Sequence, residues 1–455
     1  MPKITTINPA TEEVIAEYDP ITKEEAFASV KKAREAFEEW KKTDISDRAK
    51  IIGDIGKAML KRKQELAELI TKEMGRPIKE SVSEIEKCAL LTDYYSQNGK
   101  KFLEDEAVKA KEYAKSYVSF EPLGIVFSIM PWNYPFWQAI RCTAPALIVG
   151  NTTLLKHASA VTGSAIVFEN ILKDAGIPDG VFKTLVAKAD VAEEVIKSDI
   201  NAVSLTGSVK VGKRVAELAG SHLKKVVLEL GGSNPFIVLQ DAEVKLICED
   251  AVKGRMGNAG QSCNAAKRFI VHRNVAEEFT DRYIDLVKAY KIGDPMDPET
   301  MIGPMVGRKP RDDLHDQVVR SVKMGAKVRI GGRIPERKGF YYEPTVLTDV
   351  TNKMPVFQEE TFGPVAPIIV VDSDEEAIRE ANNTEFGLGA SIWSGDRDRA
   401  EKLAKDIYSG FVSVNKYAKS DPRLPFGGVK SSGIGREMSR YGMLEFVNIK
   451  TVIVG

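Results

Sequence analysis

Between Thr22 and Lys101 apolar residues recur at steps of three and four among Lys and Glu, as in EEAFASVKKAREAFEEW and DRAKIIGDIGKAMLKRKQELAELITKEMG. That period predicts amphipathic covering helices whose charged positions are solvated faces. The pattern changes in YAKSYVSFEPLGIVFSIMPWN, where polar and aromatic residues alternate before an apolar run; a ribbon strand followed by a buried strand is predicted. From Gly150 the chain repeats strand, turn and helix: NTTLLKH, GSAIVFENILKDAG, VFKTLVA, ADVAEEVIKS, NAVSLTG and SVKVGKRVAELAG. Short β-branched runs alternating with amphipathic helices predict a parallel sheet covered on both faces, a doubly wound α/β unit. After LELGGSNPFIVLQ the alternation restarts, with helices predicted near 242–255 and 276–289, a tract rich in Gly and Pro, and another helix. A second α/β unit is expected there. The closing FVNIKTVIVG reads as a lone strand, which needs a partner sheet. The Lys115 to Phe120 ribbon, of the same or another subunit, is the expected partner.

Composition narrows the partners. The 455 residues, 43% hydrophobic and 29% charged, are enough for two or three domains with a large core. Lys+Arg and Asp+Glu balance at 65 each, so no basic field points to nucleic acid or to an anionic membrane surface, and a small molecule is the expected partner. Cys88, Cys142, Cys248 and Cys263 are scattered without a CxxC pair. Neither a disulfide framework nor a metal site is expected, and a reducing compartment fits. The polar, acidic start is unlike a signal or transit peptide, and the apolar runs are too short to span a membrane. A soluble cytoplasmic protein is expected.

Open α/β sheets bind ligands at the carboxyl ends of their strands, which directs attention to three junctions. In SIMPWNYP, Asn133 is either a turn former or an amide donor aimed at developing negative charge. In NAVSLTGSVKVG, Gly207 and Ser208 open a helix whose N-terminus could receive a phosphate, although the spacing is not GxGxxG. In VVLELGGSNP, Glu229 ends an apolar strand and is either paired in the core or kept as a base.

Cys263 lies in GNAGQSCNAAKR among small and amide residues with no histidine beside it. Alone it is as readily a small buried filler as a nucleophile. A Cys-His hydrolase would need an oriented histidine, and His157, His222, His272 and His315 carry no supporting motif.

Taken in order, NPATEEVI, PWNYP, TGSVKVG, LELGGSNPFIV, GNAGQSCNAAKR, EETFGPV and PFGGVKSSGIGRE resemble the NAD(P)-dependent aldehyde dehydrogenase superfamily over essentially the whole chain. The resemblance implies two doubly wound α/β domains and a small β oligomerisation arm: 1–104 and 123–230 for cofactor, 231–425 for catalysis, 105–122 and 440–455 for the ribbon. It implies Cys263 as nucleophile, Glu229 as the base for thioester hydrolysis, and Asn133 as an oxyanion donor. It places Trp132, Lys156, Ser159, Gly207, Ser208, Glu360 and Phe362 around the cofactor. Many NAD-selective members carry Glu where this chain has Ser159, so NADP is expected to be accepted and preferred, with NAD as the alternative. The segments WQAIRCTAPAL and NKYAKSDPRLPFGGVKSSG resemble the succinate-semialdehyde dehydrogenase branch, which implies Arg141, Ser420 and Arg423 at the substrate. A homodimer or homotetramer is implied as well. Oxidation of glyceraldehyde or another short aldehyde, and a non-catalytic binding protein on the same scaffold, are the alternatives.

Overall fold

The computed structural model describes residues 2–455. Thr22 opens the first helix, Lys23–Trp40, through a capping box: its hydroxyl accepts from the Glu25 N–H, and the Glu25 carboxylate accepts from the Thr22 N–H. Ala26, Val30, Ala33, Phe37 and Trp40 form its buried stripe. Helices Ile45–Lys61, Lys63–Met74 and Ile78–Phe102 follow, so the helical period before Lys101 resolves into four helices. A two-stranded hairpin, Ile4–Ile7 with Val14–Tyr18, precedes them. Its second strand has no buried residue, which is why no alternation announced it.

The first sheet has six strands in the order Gly433–Ile434, Lys225–Glu229, Ala202–Thr206, Ile125–Met130, Thr152–His157, Phe182–Thr184. All pairs are parallel except the first, which is antiparallel. The chain enters at Ile125–Met130, winds outward to Phe182–Thr184, and returns on the other side through Ala202–Thr206. The order therefore reverses between Ile125–Met130 and Ala202–Thr206, and a crevice opens beyond their carboxyl ends. Trp132 and Asn133 follow one of these ends, and Gly207 and Ser208 the other.

The second sheet has seven strands: Lys327–Ile330, Thr345–Thr348, Val365–Val371, Ala266–His272, Asn234–Val238, Gly389–Trp393 and Phe411–Val414. Only the pairing of the first two is antiparallel. The third sheet joins Val447–Val454 to Lys115–Pro122 and Glu106–Ala107, with Ile449 opposite Phe120. The closing strand thus finds its partner within the chain. Helix Pro135–Val149 is buried at every position, packs against Ile78–Phe102, and starts two residues after Asn133. It is the rigid element on which much of the site is built. No helix among the described residues is long and apolar enough to cross a membrane.

Candidate active site

Cys263 sits between the tight turn Gly257–Gly260 and strand Ala266–His272. Three successive residues of that turn, Asn258, Ala259 and Gly260, have left-handed backbone (φ 53°, 49° and 72°). A Cβ at Gly260 would fall 2.3 Å from the Gly363 carbonyl oxygen, so only glycine fits the loop against its neighbour. Asn258 Nδ2 donates to the carbonyls of Asn133 and Gln261 at 3.1 and 3.2 Å. Gln261 Oε1 accepts from the Val306 N–H at 2.9 Å. The turn is therefore pinned to both units, and its shape does not depend on the cysteine.

The thiol of Cys263 is partly exposed and reduced. Desolvation and the neighbouring Glu229 push it well above its ordinary range, while Arg141 and Lys267 oppose that rise. Glu229 ends strand Lys225–Glu229 and is buried, and neither carboxylate oxygen has a hydrogen-bond partner among the described residues. Burial pushes its carboxyl up to about 8; Arg141 pulls it down and Glu437 pushes it up. Two acids that face each other in a dry site cannot both ionise cheaply.

Arg141, on helix Pro135–Val149, is buried among carboxylates. Its Nη2 lies 2.5 Å from Glu437 Oε2 and 3.7 Å from Glu229 Oε2, and donates to Thr206 Oγ1 at 3.4 Å. Glu437 reaches this place because its backbone pairs with Phe426 in both directions, directly after Gly433–Ile434 has joined Lys225–Glu229. Gly433 is required there: at φ 142° a Cβ would meet the Leu228 carbonyl oxygen at 1.9 Å.

Asn133 Nδ2 donates to the Gln261 carbonyl at 3.0 Å. That bond uses one of its two hydrogens and sets the amide beside the cysteine loop, two residues before Cys263. The second hydrogen remains to meet an oxyanion.

On the cofactor side, Lys156 is the penultimate residue of strand Thr152–His157 and forms no ion pair among the described residues; burial pushes its ammonium down. Ser159 is exposed at the start of the short turn Ser159–Val161. Ser208 caps helix Val209–Gly220, its hydroxyl accepting from the Val211 N–H, so the helix N-terminus opens into the crevice after Gly207. Glu360 Oε1 accepts from the Gly232 N–H at 3.0 Å and pairs with Lys267. The rings of Phe362 and Trp132 meet edge to face at 5.7 Å. A desolvated cation without an anion, an open helix N-terminus and a fixed carboxylate suit the phosphates and ribose hydroxyls of a dinucleotide.

Of the other residues that the sequence pointed to, Ser420 Oγ accepts from Lys87 Nζ. Arg423 is exposed and turned to Asp421 at 2.6 Å. Arg141 faces the ring of Phe426 at 5.0 Å. A surface groove of about 780 Å³ between helices Ile45–Lys61 and Ile78–Phe102 holds none of these groups.

Several residues in the site were given no role by the sequence. Lys267, fully buried, donates to the carbonyls of Gly232 (2.6 Å) and Cys263 (3.2 Å) while pairing with Glu360, so one ammonium ties the cysteine to the cofactor side. Asn258, Gln261, Lys267 and Glu437 all lie inside the quoted motifs, which was their only signal. Arg255, outside them, donates to the carbonyls of Thr361 (3.0 Å) and Val365 (2.7 Å) and so holds the Glu360–Phe362 segment. None of the histidines serves the cysteine. Burial pushes His157 down to about 4, and its Nε2 bonds the Pro135 carbonyl; His272 caps helix Arg273–Lys288, His315 bonds Tyr342, and His222 lies in a surface turn.

Comparison with known proteins agrees with this geometry. The sequence model of the aldehyde dehydrogenase family matches residues 2–452. The chain is 44% identical over 448 residues to the NAD(P)-dependent succinate semialdehyde dehydrogenase Sad of Escherichia coli K12, covering 98% of this chain and 97% of that one. It is 44% identical over 450 residues to a probable NADP-dependent succinate-semialdehyde dehydrogenase of Synechocystis, covering 99% of each. Among solved structures, the succinic semialdehyde dehydrogenase of Streptococcus pyogenes in complex with NADP superimposes with a TM-score of 0.97 at 35% identity, covering 99% of each chain.

Proposed function

The chain belongs to the aldehyde dehydrogenase family, and from that premise we propose that it oxidises succinate semialdehyde to the dicarboxylic acid with NADP in preference to NAD. The observation that carries the reading is that the Cys263 thiol and the Glu229 carboxylate, which has no hydrogen-bond partner among the described residues, act on each other's charge, while the Asn133 amide is bonded to Gln261, two residues before the cysteine. The names of the relatives support the substrate class.

The chemistry follows from the residues. Cys263 attacks the aldehyde carbon as thiolate, its proton released to solvent, and the thiohemiacetal oxygen gathers negative charge that the Asn133 amide meets. Nicotinamide, when bound, supplies the hydride acceptor. The thioester that results on Cys263 is then hydrolysed: Glu229 takes a proton from water, the hydroxyl adds to the carbonyl, and sulfur leaves as thiolate. Thiolate is intrinsically nucleophilic, so the attack needs no histidine beside the sulfur.

Lys156, the Ser208 helix start, Glu360 and Phe362 would hold the cofactor, with the residues 1–104 and 123–230 as its unit and 231–425 carrying the nucleophile. Ser159 supports the NADP preference, since it neither repels a 2′-phosphate nor claims a 2′-hydroxyl as a carboxylate would. Exposed Ile449 and Ile453 on the outer strand Val447–Val454 support assembly into dimers or tetramers through that ribbon; a monomer by light scattering would contradict it. Free thiols at all four cysteines fit a cytoplasmic setting.

The test is steady-state kinetics with succinate semialdehyde, glyceraldehyde and butanal, each with NADP and NAD. The highest kcat/KM is expected for succinate semialdehyde with NADP. A preference for an uncarboxylated aldehyde, or a large preference for NAD, would sink the corresponding half of the proposal.

A further inference from the structure

Removing a cation from water without giving it an anion is costly, so a desolvated ammonium lacking a carboxylate marks a place where an anion can bind. Lys87 is such a group. It projects from helix Ile78–Phe102 one turn after Glu84, whose carboxylate accepts from the N–H groups of Phe136 and Trp137 and so fixes this helix against the start of Pro135–Val149. The Lys87 ammonium stands over the Trp137 ring, 4.1 Å from its centroid, and donates to Ser420 Oγ. It forms no ion pair among the described residues. Asp421, next to Ser420, is taken by Arg423 at 2.6 Å.

Arg141 lies four residues after Trp137, on the same helical face. Its charge is felt both at Lys87 and at Cys263, and helix Pro135–Val149 carries both Arg141 and the Trp137 ring under Lys87. The two cations differ in one respect. Arg141 is already compensated by Glu437 and Glu229, whereas Lys87 has no carboxylate within ion-pair distance and feels Asp421 only from farther away.

We propose that Lys87 is the direct anchor for the distal carboxylate of the substrate, with Ser420 as its hydrogen-bonding companion and Arg141 as a neighbouring charge that is already engaged. The inference deepens, and rests on, the reading of a short aldehyde acid as substrate. The aliphatic segment of such a molecule lies along Trp137, and its carbonyl end reaches Cys263. The Ser420 hydroxyl, which accepts from Lys87, keeps its own hydrogen for a carboxylate oxygen. Burial pushes the ammonium down to about 8, followed by the repulsion of Arg141; Arg76 and Lys419 add to it, and Cys88 on the same helix opposes it. Asp421 also faces Lys87. An anion seated here restores the charged form. In the free protein Lys87 is charged below about pH 8 and loses its proton above it, so selectivity for a carboxylated aldehyde is present at neutral pH and fades as pH rises.

The experiment compares kcat/KM for succinate semialdehyde and for butanal in the wild type, Lys87→Met and Lys87→Arg, with saturating NADP. The wild type favours the semialdehyde, and in Lys87→Met the ratio of the two values falls about ten- to hundredfold through KM, the loss expected for a charge-assisted contact. Lys87→Arg keeps most of the preference. A wild type that prefers the semialdehyde together with a Lys87→Met that preserves the ratio overturns the role of Lys87 and leaves the substrate reading standing. A wild type without preference overturns both, since an enzyme that does not discriminate has no anchor. Should Lys87→Met fail to fold, the wild-type ratio between pH 6.5 and 9.5 decides: a decline above about pH 8 supports the anchor, and a flat ratio overturns it.

Discussion

Replacing Glu437 by Gln removes one negative charge from a buried cluster while keeping the shape of the side chain. Glu437 Oε2 and Glu229 Oε2 lie 2.5 and 3.7 Å from the same Arg141 nitrogen, so they are at most about 6.2 Å apart. At an effective dielectric constant near 20, two unit charges about 6 Å apart repel by about 2.7 kcal/mol, which corresponds to about two pKa units. The repulsion raises the Glu229 carboxyl, which burial and its surroundings place at about 8. Without it, Arg141 acts on Glu229 alone, and the carboxylate form persists to lower pH. Since Glu229 works as a base, turnover limited by thioester hydrolysis rises as pH passes its pKa. The acid limb of kcat should therefore move from about pH 8 toward about pH 6 in Glu437→Gln. Stopped-flow traces would first confirm a burst of reduced cofactor ahead of a slower steady state; kcat is then followed from pH 5.5 to 9.5. A limb that stays in place, or moves to higher pH, would refute the idea that Glu437 and Arg141 together set the proton affinity of Glu229.

Other perturbations separate the remaining roles. Glu229→Gln should preserve the first-turnover burst and lower steady-state turnover by about 10²- to 10⁴-fold, the usual worth of a general base; acyl-enzyme should be visible by intact mass, and loss of the burst would contradict a role confined to hydrolysis. Asn133→Ala should reduce kcat by about 10²- to 10³-fold without weakening cofactor binding, as measured by fluorescence titration beside the kinetics. Ser159→Glu should weaken NADP binding at least about tenfold, the scale of one adverse charge contact, while leaving NAD binding equal or better; parallel titrations would expose a wrong assignment through equal losses.

The helical period before Lys101 and the strand-turn-helix grammar after Gly150 were legible because burial of each element is set by its own local pattern. The N-terminal hairpin was not, since Val14–Tyr18 gains its place from pairing alone. The site shows the same division. Cys263, Glu229 and Asn133 stand at strand and loop ends inside recognisable motifs, and the structure brings them to one place. Lys87 and Glu437 draw their meaning from contacts 333 residues away in one case and from Phe426 and Arg141 in the other. Nothing in a helical stripe of Lys and Glu distinguishes the one lysine that turns inward under a loop. Arg141 illustrates the converse: its motif implied a place at the substrate, and its contacts with Glu437 and Glu229 could not be read from that motif.

Because Gly433–Ile434 completes the edge of the first sheet and Glu437 closes over Arg141, the reactive centre depends on a segment synthesised well after its nucleophile. Cys263 leaves the ribosome 174 residues ahead of Glu437, an interval of roughly 9 to 35 seconds at ordinary elongation rates. During that time the thiol and Glu229 exist without the group that locks their neighbour in place. Competence to attack an aldehyde is thereby deferred until residue 437 has been made and folded back, and a chain truncated before residue 433 carries its nucleophile without an assembled centre.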